Sequence, residues 1–326
     1  MSPIKIREKL LAFIDNHVPV VDSNYSNISR KSSSPLDKEY NVAVITGGSG
    51  GLGRCLAARL ANRGIATVVV LDIVLPEPID RVPGVHYRQC DVSSFSQVQT
   101  AASEIRTRFG VVTILVNNAG IVRGRNLLDM SEKEIQLMFH VNLYASFITI
   151  KTFLPDMLAL GSGYIVTVAS ILGYLAPARL SVYGASKAGL IAMHESLTAE
   201  LRASHIASRS NRRVRTLLVC PGQMETVMFQ GVKTPSSLLA PVLAPEEVAR
   251  RIVEMLSKGR EGTLFMPCYA HFIPLLRVFP ERITEFARHL SGMDHAIDTL
   301  DEGVNMTKDG CARISESEEE VDRQSA

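Results

Sequence analysis

Residues 41–53 read Asn41-Val-Ala-Val-Ile-Thr46-Gly47-Gly48-Ser49-Gly50-Gly51-Leu52-Gly53. Val42–Thr46 is an apolar run of the kind that forms a strand buried on both faces. It ends in a glycine cluster, and a helical pattern runs from Gly51 to Asn62. Glycines let the chain turn tightly and bring backbone close to a ligand, while a helix start attracts a pyrophosphate. A glycine run alone could be any tight turn. Here a strand precedes it, a helix follows, and an acid, Asp72, closes the next apolar run about twenty residues on, as a dinucleotide site requires. Gly47, Ser49, Gly51, Leu52 and Gly53 are therefore candidate cofactor contacts. A carboxylate at Asp72 can accept from both ribose hydroxyls of NAD and repels the 2′-phosphate of NADP. No Lys or Arg occupies 47–53 or directly follows Asp72, so NAD is favoured over NADP.

Outward from this stretch, apolar runs alternate with helical patterns, which argues for a parallel sheet with crossover helices. Strands are expected at Val42–Thr46, Thr67–Leu71, Val85–Cys90, Ile114–Asn117, Gly163–Ala169, Val214–Val219 and Thr263–Met266. The first five are read as Val-, Ile- or Leu-rich runs with little alternation, the mark of strands covered on both faces. Helices fit at Gly51–Asn62, Ser96–Phe109, Ser131–Leu160, Val182–Ala203 and Pro245–Ser257. The predicted fold is α/β: a Rossmann-type, doubly wound, seven-stranded parallel sheet with helices on both faces. Its domain is expected over 38–290, after an N-terminal segment and linker (1–37) and before an acidic tail (291–326). The crossover from Ile73 to Gly84 holds three prolines and is too short for a long helix, so that edge is expected to be abbreviated. Asp91 and Val92 follow the third strand, where a carboxylate meets an adenine amino group. Asn117-Asn118-Ala119-Gly120 follows the fourth and suits a backbone wall beside a cofactor.

Tyr183 and Lys187 lie four apart in Tyr-Gly-Ala-Ser-Lys, and Ser170 lies upstream in Val-Ala-Ser. Residues four apart share a helix face, so a phenol and an ammonium point into one space. The cation is expected to lower the phenol pKa from its ordinary ~10. Such a tyrosine exchanges a proton with an alcohol or carbonyl oxygen, and the Ser170 hydroxyl holds the same oxygen.

Composition excludes several classes. The 326 residues carry a formal charge of +2, which gives no reason to expect a nucleic-acid partner. Five scattered cysteines without a Cys-x-x-Cys pair fit a reduced compartment and no zinc site. Cys55 and Cys220 read as packing residues. His140 reads as structural and His194 as a satisfied core histidine. No long uninterrupted apolar run predicts a membrane span. Residues 5–21 make a poor signal peptide; Ile6, Leu10, Phe13 and Ile14 form one apolar stripe that either rests on a membrane or docks on the domain. Asn24 and Asn27 open Asn-x-Ser sequons that mean little without secretion. Arg209, Arg212, Arg213 and Arg215 form a basic insertion, read as a solvated loop or a contact for anionic lipid headgroups. The acidic run 316–322 reads as a disordered tail.

Taken together, Thr46-Gly47-x-x-x-Gly51-x-Gly53, Asn117-Asn118-Ala119-Gly120, Asn142, Ser170, Tyr183-x-x-x-Lys187 and Pro221-Gly222 stand in the order of a short-chain dehydrogenase/reductase, which this chain resembles over roughly residues 40–270. The resemblance implies an oxidoreductase acting on CH–OH groups, with Tyr183 as proton donor and acceptor. It implies Lys187 as a ligand of the nicotinamide ribose that lowers the tyrosine pKa, and Ser170 as anchor of the substrate oxygen. Asn142 would hold the helix geometry and a water linking Lys187 to solvent; Pro221, Gly222 and Thr226 would meet the nicotinamide end. Ile114-Leu-Val-Asn-Asn-Ala-Gly-Ile-Val122, Lys151-Thr-Phe-Leu-Pro155 and Phe279-Pro-Glu-Arg282 resemble the 17β-hydroxysteroid dehydrogenase 11/13-like and retinol-dehydrogenase-like branch. Members of that branch are often attached to endoplasmic reticulum or lipid droplets, so the resemblance implies an intracellular protein, cytosolic or peripherally attached to such a membrane. Related enzymes pair through the helices bearing Asn142 and Tyr183, which implies a homodimer.

Substrate walls are expected from 171–180, the loop after Thr226 and the C-terminal region: Leu172, Tyr174, Leu175, Val227, Met228, Phe229, Leu238 and Leu239. An apolar lid predicts a lipophilic alcohol or carbonyl, steroid-, retinoid- or long-chain-lipid-like. Residues 264–279 either cover the site, bury in an oligomer or lie on a bilayer. Two other readings stay open: an NADPH-dependent carbonyl reductase, and a low-turnover nucleotide-binding scaffold at a membrane surface.

Overall fold

The computed structural model describes residues 36, 41–208, 213–229 and 241–291. Seven parallel strands lie in the order β3-β2-β1-β4-β5-β6-β7. They are β1 (Val42–Thr46), β2 (Thr67–Asp72), β3 (Val85–Gln89), β4 (Ile114–Asn117), β5 (Ser162–Val168), β6 (Arg213–Pro221) and β7 (Gly262–Met266). The helices are α1 (Gly51–Asn62), α2 (Phe95–Phe109), α3 (Glu132–Phe139), α4 (Ala145–Leu160), α5 (Ser181–Ser208), α6 (Pro245–Ser257) and α7 (Glu281–Ser291). This is the predicted doubly wound sheet. The N-terminal segment with Asn24 and Asn27, Arg209 and Arg212 of the basic loop, Leu238, Leu239 and the acidic tail lie outside the described residues.

Side-chain alternation along the strands splits the core in two. Ala43 and Ile45 of β1 face α1 and α6 with Val68, Val70 and Val116. Val42 and Val44 face α2 and α4 with Val69, Leu71 and Leu115. Both faces are buried, which explains the near-continuous apolar runs. Strand β3 departs from the expectation. It is the sheet edge, its Val-His-Tyr-Arg-Gln sequence is only partly covered, and His86 and Gln89 are exposed. The crossover before it carries only a 3₁₀ turn, Pro78–Asp80, so no long helix shields that strand.

The single helix expected over 131–160 is instead three pieces: α3, a π-helical turn at His140–Tyr144, and α4. Ser131 opens α3 with a capping box to Glu134. The π turn centres on Asn142, which is fully buried. Residues Glu132–Leu160 are long and apolar enough to cross a membrane, yet α4 contributes Ile148, Phe153 and Met157 to the second core layer.

Strand order reverses between β1 and β4: one half of the sheet winds toward β3, the other toward β7. Loops leaving the carboxyl ends of these two strands diverge and leave a crevice, the position where open α/β sheets bind ligands.

Candidate active site

A cavity of about 390 Å³ opens in that crevice. Gly47, Gly51, Leu52, Asp72, Asp91, Val92, Asn118, Ala119, Gly120, Ser170, Tyr183, Lys187, Pro221, Gly222 and Thr226 line it, as the sequence predicts. Ser49, Gly53 and Asn142 stand behind the wall.

The glycine-rich turn is held from three sides. Gly47 N donates to Leu71 O at 2.8 Å. Asn118 Nδ2 donates to Thr46 O (3.0 Å) and Gly47 O (2.8 Å), and Thr46 Oγ1 accepts from Asn118 N and Ala119 N, each at 3.0 Å. Ser49 N donates to Asp72 Oδ2 at 2.9 Å. Asp72 therefore braces the turn, and Val74 N donates to its other oxygen at 3.3 Å. That bracing role is invisible in the spacing alone. Gly53 is needed for close approach: a Cβ there would sit 2.2 Å from Gly47 O. Gly51 takes φ +48°, a left-handed conformation that favours glycine.

The site fits a dinucleotide on observations of its own. Helix α1 starts at the cavity with Gly50 as a side-chain-free cap and no acid in its first turn, so its N–H groups remain available to an anion. The Ser49 hydroxyl is buried with no hydrogen-bond partner, an orphan of the kind that a bound group satisfies. The Asp72 carboxylate keeps acceptor capacity beyond its two backbone bonds. Asp91 Oδ1 already accepts from Ser93 N (2.9 Å) and Ser93 Oγ (2.7 Å), which fixes its carboxylate in the wall.

At the other end, β5 delivers Ser170 and the first turns of α5 deliver Tyr183 and Lys187. Ser170 shares a hydrogen bond with the Tyr183 phenol. Its Oγ also accepts from Leu172 N at 3.1 Å and donates to Pro221 O at 3.5 Å. Lys187 Nζ donates to Val168 O at 3.2 Å and lies 5.7 Å from the Tyr183 ring centroid. Tyr183 and Lys187 are each only 4% exposed.

That burial corrects the expected drop in phenol pKa. Loss of water pushes the Tyr183 phenol above its ordinary value, and the Ser170 hydrogen bond recovers only part of the shift. Burial also brings Lys187 down to about 8, so the cation meant to stabilise phenolate is itself partly discharged near neutral pH. In the ligand-free protein the tyrosine is a neutral acid.

Asn142 works from behind. Its Oδ1 accepts from Ile121 N (2.7 Å), and its Nδ2 donates to Ile121 O (2.9 Å) and Ser186 Oγ (3.0 Å). Ser186 Oγ in turn donates to Tyr183 O at 2.7 Å. The π turn is thus stapled both to the β4 loop and to the helix carrying the tyrosine. Gly120 leaves the gap between Asn142 and Lys187 open: a Cβ there would lie 3.3 Å from Asn142 Oδ1 and 3.4 Å from Lys187 Nζ.

Val227, Met228 and Phe229 line the cavity as expected, with Phe229 edge-on to Tyr183 at 6.2 Å. Leu172 and Tyr174 instead pack into core clusters. Sequence reading missed Ile121, Leu137 and Val141 as wall residues. Leu137 and Val141 are four apart, and that helical spacing was the available signal. His140 stands outside the wall, stacked near Tyr144 at 5.7 Å. His194 is a core histidine: Nδ1 pairs with Thr167 Oγ1 at 2.9 Å, and burial drives its pKa down to about 4. Burial raises the Cys55 thiol to about 11 and the Cys220 thiol to about 12, which leaves both as packing groups. No cluster of three or more metal-ligating side chains occurs among the described residues.

Comparison with known proteins places this geometry. The short chain dehydrogenase family model matches residues 41–236. An uncharacterised oxidoreductase of Saccharomyces cerevisiae is 36% identical over 282 residues, covering 85% of this chain and 91% of its own. Epidermal retinol dehydrogenase 2 of Mus musculus is 36% identical, covering 72% of this chain and 77% of its own. Estradiol 17-beta-dehydrogenase 11 of Pongo abelii is 34% identical, covering 74% and 80%. Among solved structures, ligand-free aldohexose dehydrogenase of Thermoplasma acidophilum superposes with a TM-score of 0.62 at 24% identity, over 74% of this chain and 97% of that one. This last likeness speaks to the fold alone.

Proposed function

Because the chain belongs to the short-chain dehydrogenase family, we propose that it moves a hydride between NAD(H) and a lipophilic alcohol or its carbonyl, with Tyr183 as general acid and base. It is an oxidoreductase of CH–OH groups; the cofactor preference, the tyrosine's role and the substrate class are the proposal. The observation that carries it is the buried Ser170–Tyr183 hydrogen bond at the mouth of an otherwise apolar chamber.

The nicotinamide ring supplies the hydride acceptor or donor and, when oxidised, a positive charge. Everything else falls to the protein. Ser170 and Tyr183 converge on one substrate oxygen and share the charge that grows on it. As a neutral phenol, Tyr183 gives its proton to a carbonyl oxygen; in the reverse direction it must first lose that proton. Lys187 has three N–H donors and gives one to Val168 O, which leaves others for a ribose. Asn142 keeps α5 and the β4 loop in register and does not reach into the cavity.

Walls from Ile121, Leu137, Val141, Val227, Met228 and Phe229 carry no charge. They exclude an ionised substrate, whose desolvation nothing would offset, and favour one like those named for the retinol and estradiol relatives. Asp72 supports NAD, since a 2′-phosphate would meet a carboxylate. An NADPH-dependent reductase remains the alternative and predicts the reverse cofactor preference.

Purified protein given retinol, estradiol or dodecanol with NAD or NADP tests this by reduced-cofactor absorbance. NAD-linked turnover of at least one is expected; turnover with NADP alone, or only with charged substrates, would sink the reading.

Contact with a lipid surface belongs to the same proposal. Phe272, Leu275 and Val278 recur every third residue along two 3₁₀ turns, so they share a face, and they are 55%, 53% and 81% exposed. Exposed Tyr144, Phe147 and Leu158 on α4 and the turn before it support a homodimer. Flotation with phosphatidylcholine vesicles and light scattering read these two: protein that stays in the bottom fraction counts against the first, a monomer mass against the second.

A further inference from the structure

Arg277 lies on the 3₁₀ turn Pro274–Val278, more than a hundred residues from the loop that follows β5. Its Nε donates to Tyr174 O at 2.9 Å and its Nη2 to Gly173 O at 3.2 Å. One planar guanidinium thus grips two successive carbonyls, geometry that a lysine cannot reproduce. These carbonyls end the 3₁₀ turn Ile171–Gly173, where a cation is electrostatically favoured.

The gripped turn is the one that sets Ser170. Gly173 N donates to Ser170 O at 3.1 Å, and Leu172 N donates to Ser170 Oγ at 3.1 Å. On its other side the turn lies flush against the backbone of the catalytic helix. A Cβ on Gly173 would come within 2.9 Å of Lys187 C and 3.0 Å of Ala188 N. The Tyr174 ring continues the contact, stacking near Phe265 at 5.7 Å with the Arg277 guanidinium 6.0 Å from its centroid.

We infer that Arg277 is a positioning residue for the reaction: by clasping the Gly173 and Tyr174 carbonyls it fixes the turn that aims the Ser170 hydroxyl at the substrate oxygen. It touches neither substrate nor cofactor. The inference rests on the function proposed above, and its test separates the two. Wild-type protein without turnover would defeat that function; the inference is judged on a wild type that turns over.

Arg277→Gln, Ser170→Ala and the double variant form a cycle, assayed with NAD and whichever of retinol, estradiol or dodecanol the wild type uses best. Arg277→Gln is expected to lower kcat about tenfold, as loss of a charged hydrogen-bond pair at a half-open position allows. The reduced-cofactor dissociation constant, read by NADH fluorescence, should hold within about twofold, and the melting temperature within about 2 °C. In the Ser170→Ala background the same substitution should cost almost nothing, because the hydroxyl it aims is gone. Amide exchange of the peptide covering 170–176 should rise in Arg277→Gln, and Arg277→Lys should recover part of the rate through one restored bond. Equal losses with and without Ser170, an unchanged kcat, or a loss matched by weaker NADH binding or a lower melting temperature would each overturn the inference.

Discussion

Tyr183→Phe is expected to lower kcat about a thousandfold, within the range for a lost general acid, while NADH binding holds within about twofold. The residue's surroundings make the expectation sharp. The phenol is buried and touches Ser170, so Phe keeps the ring packing against Phe229 and removes only the proton and one hydrogen bond. Steady-state rates and NADH fluorescence on the same preparation check it. A rate within about tenfold of wild type would assign the proton transfer to another group.

Lys187→Met is expected to do two opposite things. Turnover and cofactor affinity fall together, because the variant loses the donors that Lys187 presents to the cavity; about tenfold or more in each is expected for a charged hydrogen bond. Stability of the ligand-free protein rises. Burial takes the lysine from 10.5 down to about 8, so the folded protein holds this proton less tightly than the unfolded chain does. Below pH 8 the folded state carries the full cost of a buried ammonium, about 3 kcal/mol from the shift. As pH rises from 8 to 10.5 only the unfolded chain stays protonated, and the cost fades. Methionine removes it at once, offset by the orphaned Val168 carbonyl. The net gain should appear as a melting temperature roughly 5 °C higher at pH 7, shrinking toward zero near pH 10.5. Thermal melts at both pH values check this; a gain that does not shrink at high pH would place its origin in packing instead of charge.

The order of strands and helices was legible because buried parallel strands leave continuous apolar runs, and β1, β4 and α1 begin and end where expected. Strand β3 was read as another covered strand, although His86, Arg88 and Gln89 within it already signalled an edge. The cofactor wall was legible because glycines and Asp72 are required by backbone approach and charge. The break in the helix over 131–160 was not: nothing in the composition of Phe139-His-Val-Asn-Leu-Tyr144 separates a π turn from α-helix. Only the tertiary bonds of Asn142 to Ile121 and Ser186 create it. The direction of the tyrosine's pKa also escaped. Spacing tells that a cation is near, while burial, which decides the sign, depends on what packs around both groups. Arg277 and Gly173 were out of reach for the same reason, being joined only by the fold.

The π turn carries a consequence for splicing this chain with its relatives. Each residue advances an α-helix by about 100°, and the turn at His140–Tyr144 absorbs an extra fraction of a winding. Deleting one position there would let the segment relax to ordinary helix and swing everything after it round by that angle. Ile148, Phe153 and Met157 would then leave the sheet, and Tyr144 and Phe147 would turn toward it. A chimaera joined within 139–145 must therefore preserve residue count before residue identity, whereas a seam in the exposed crossover between β2 and β3 meets no such phase requirement.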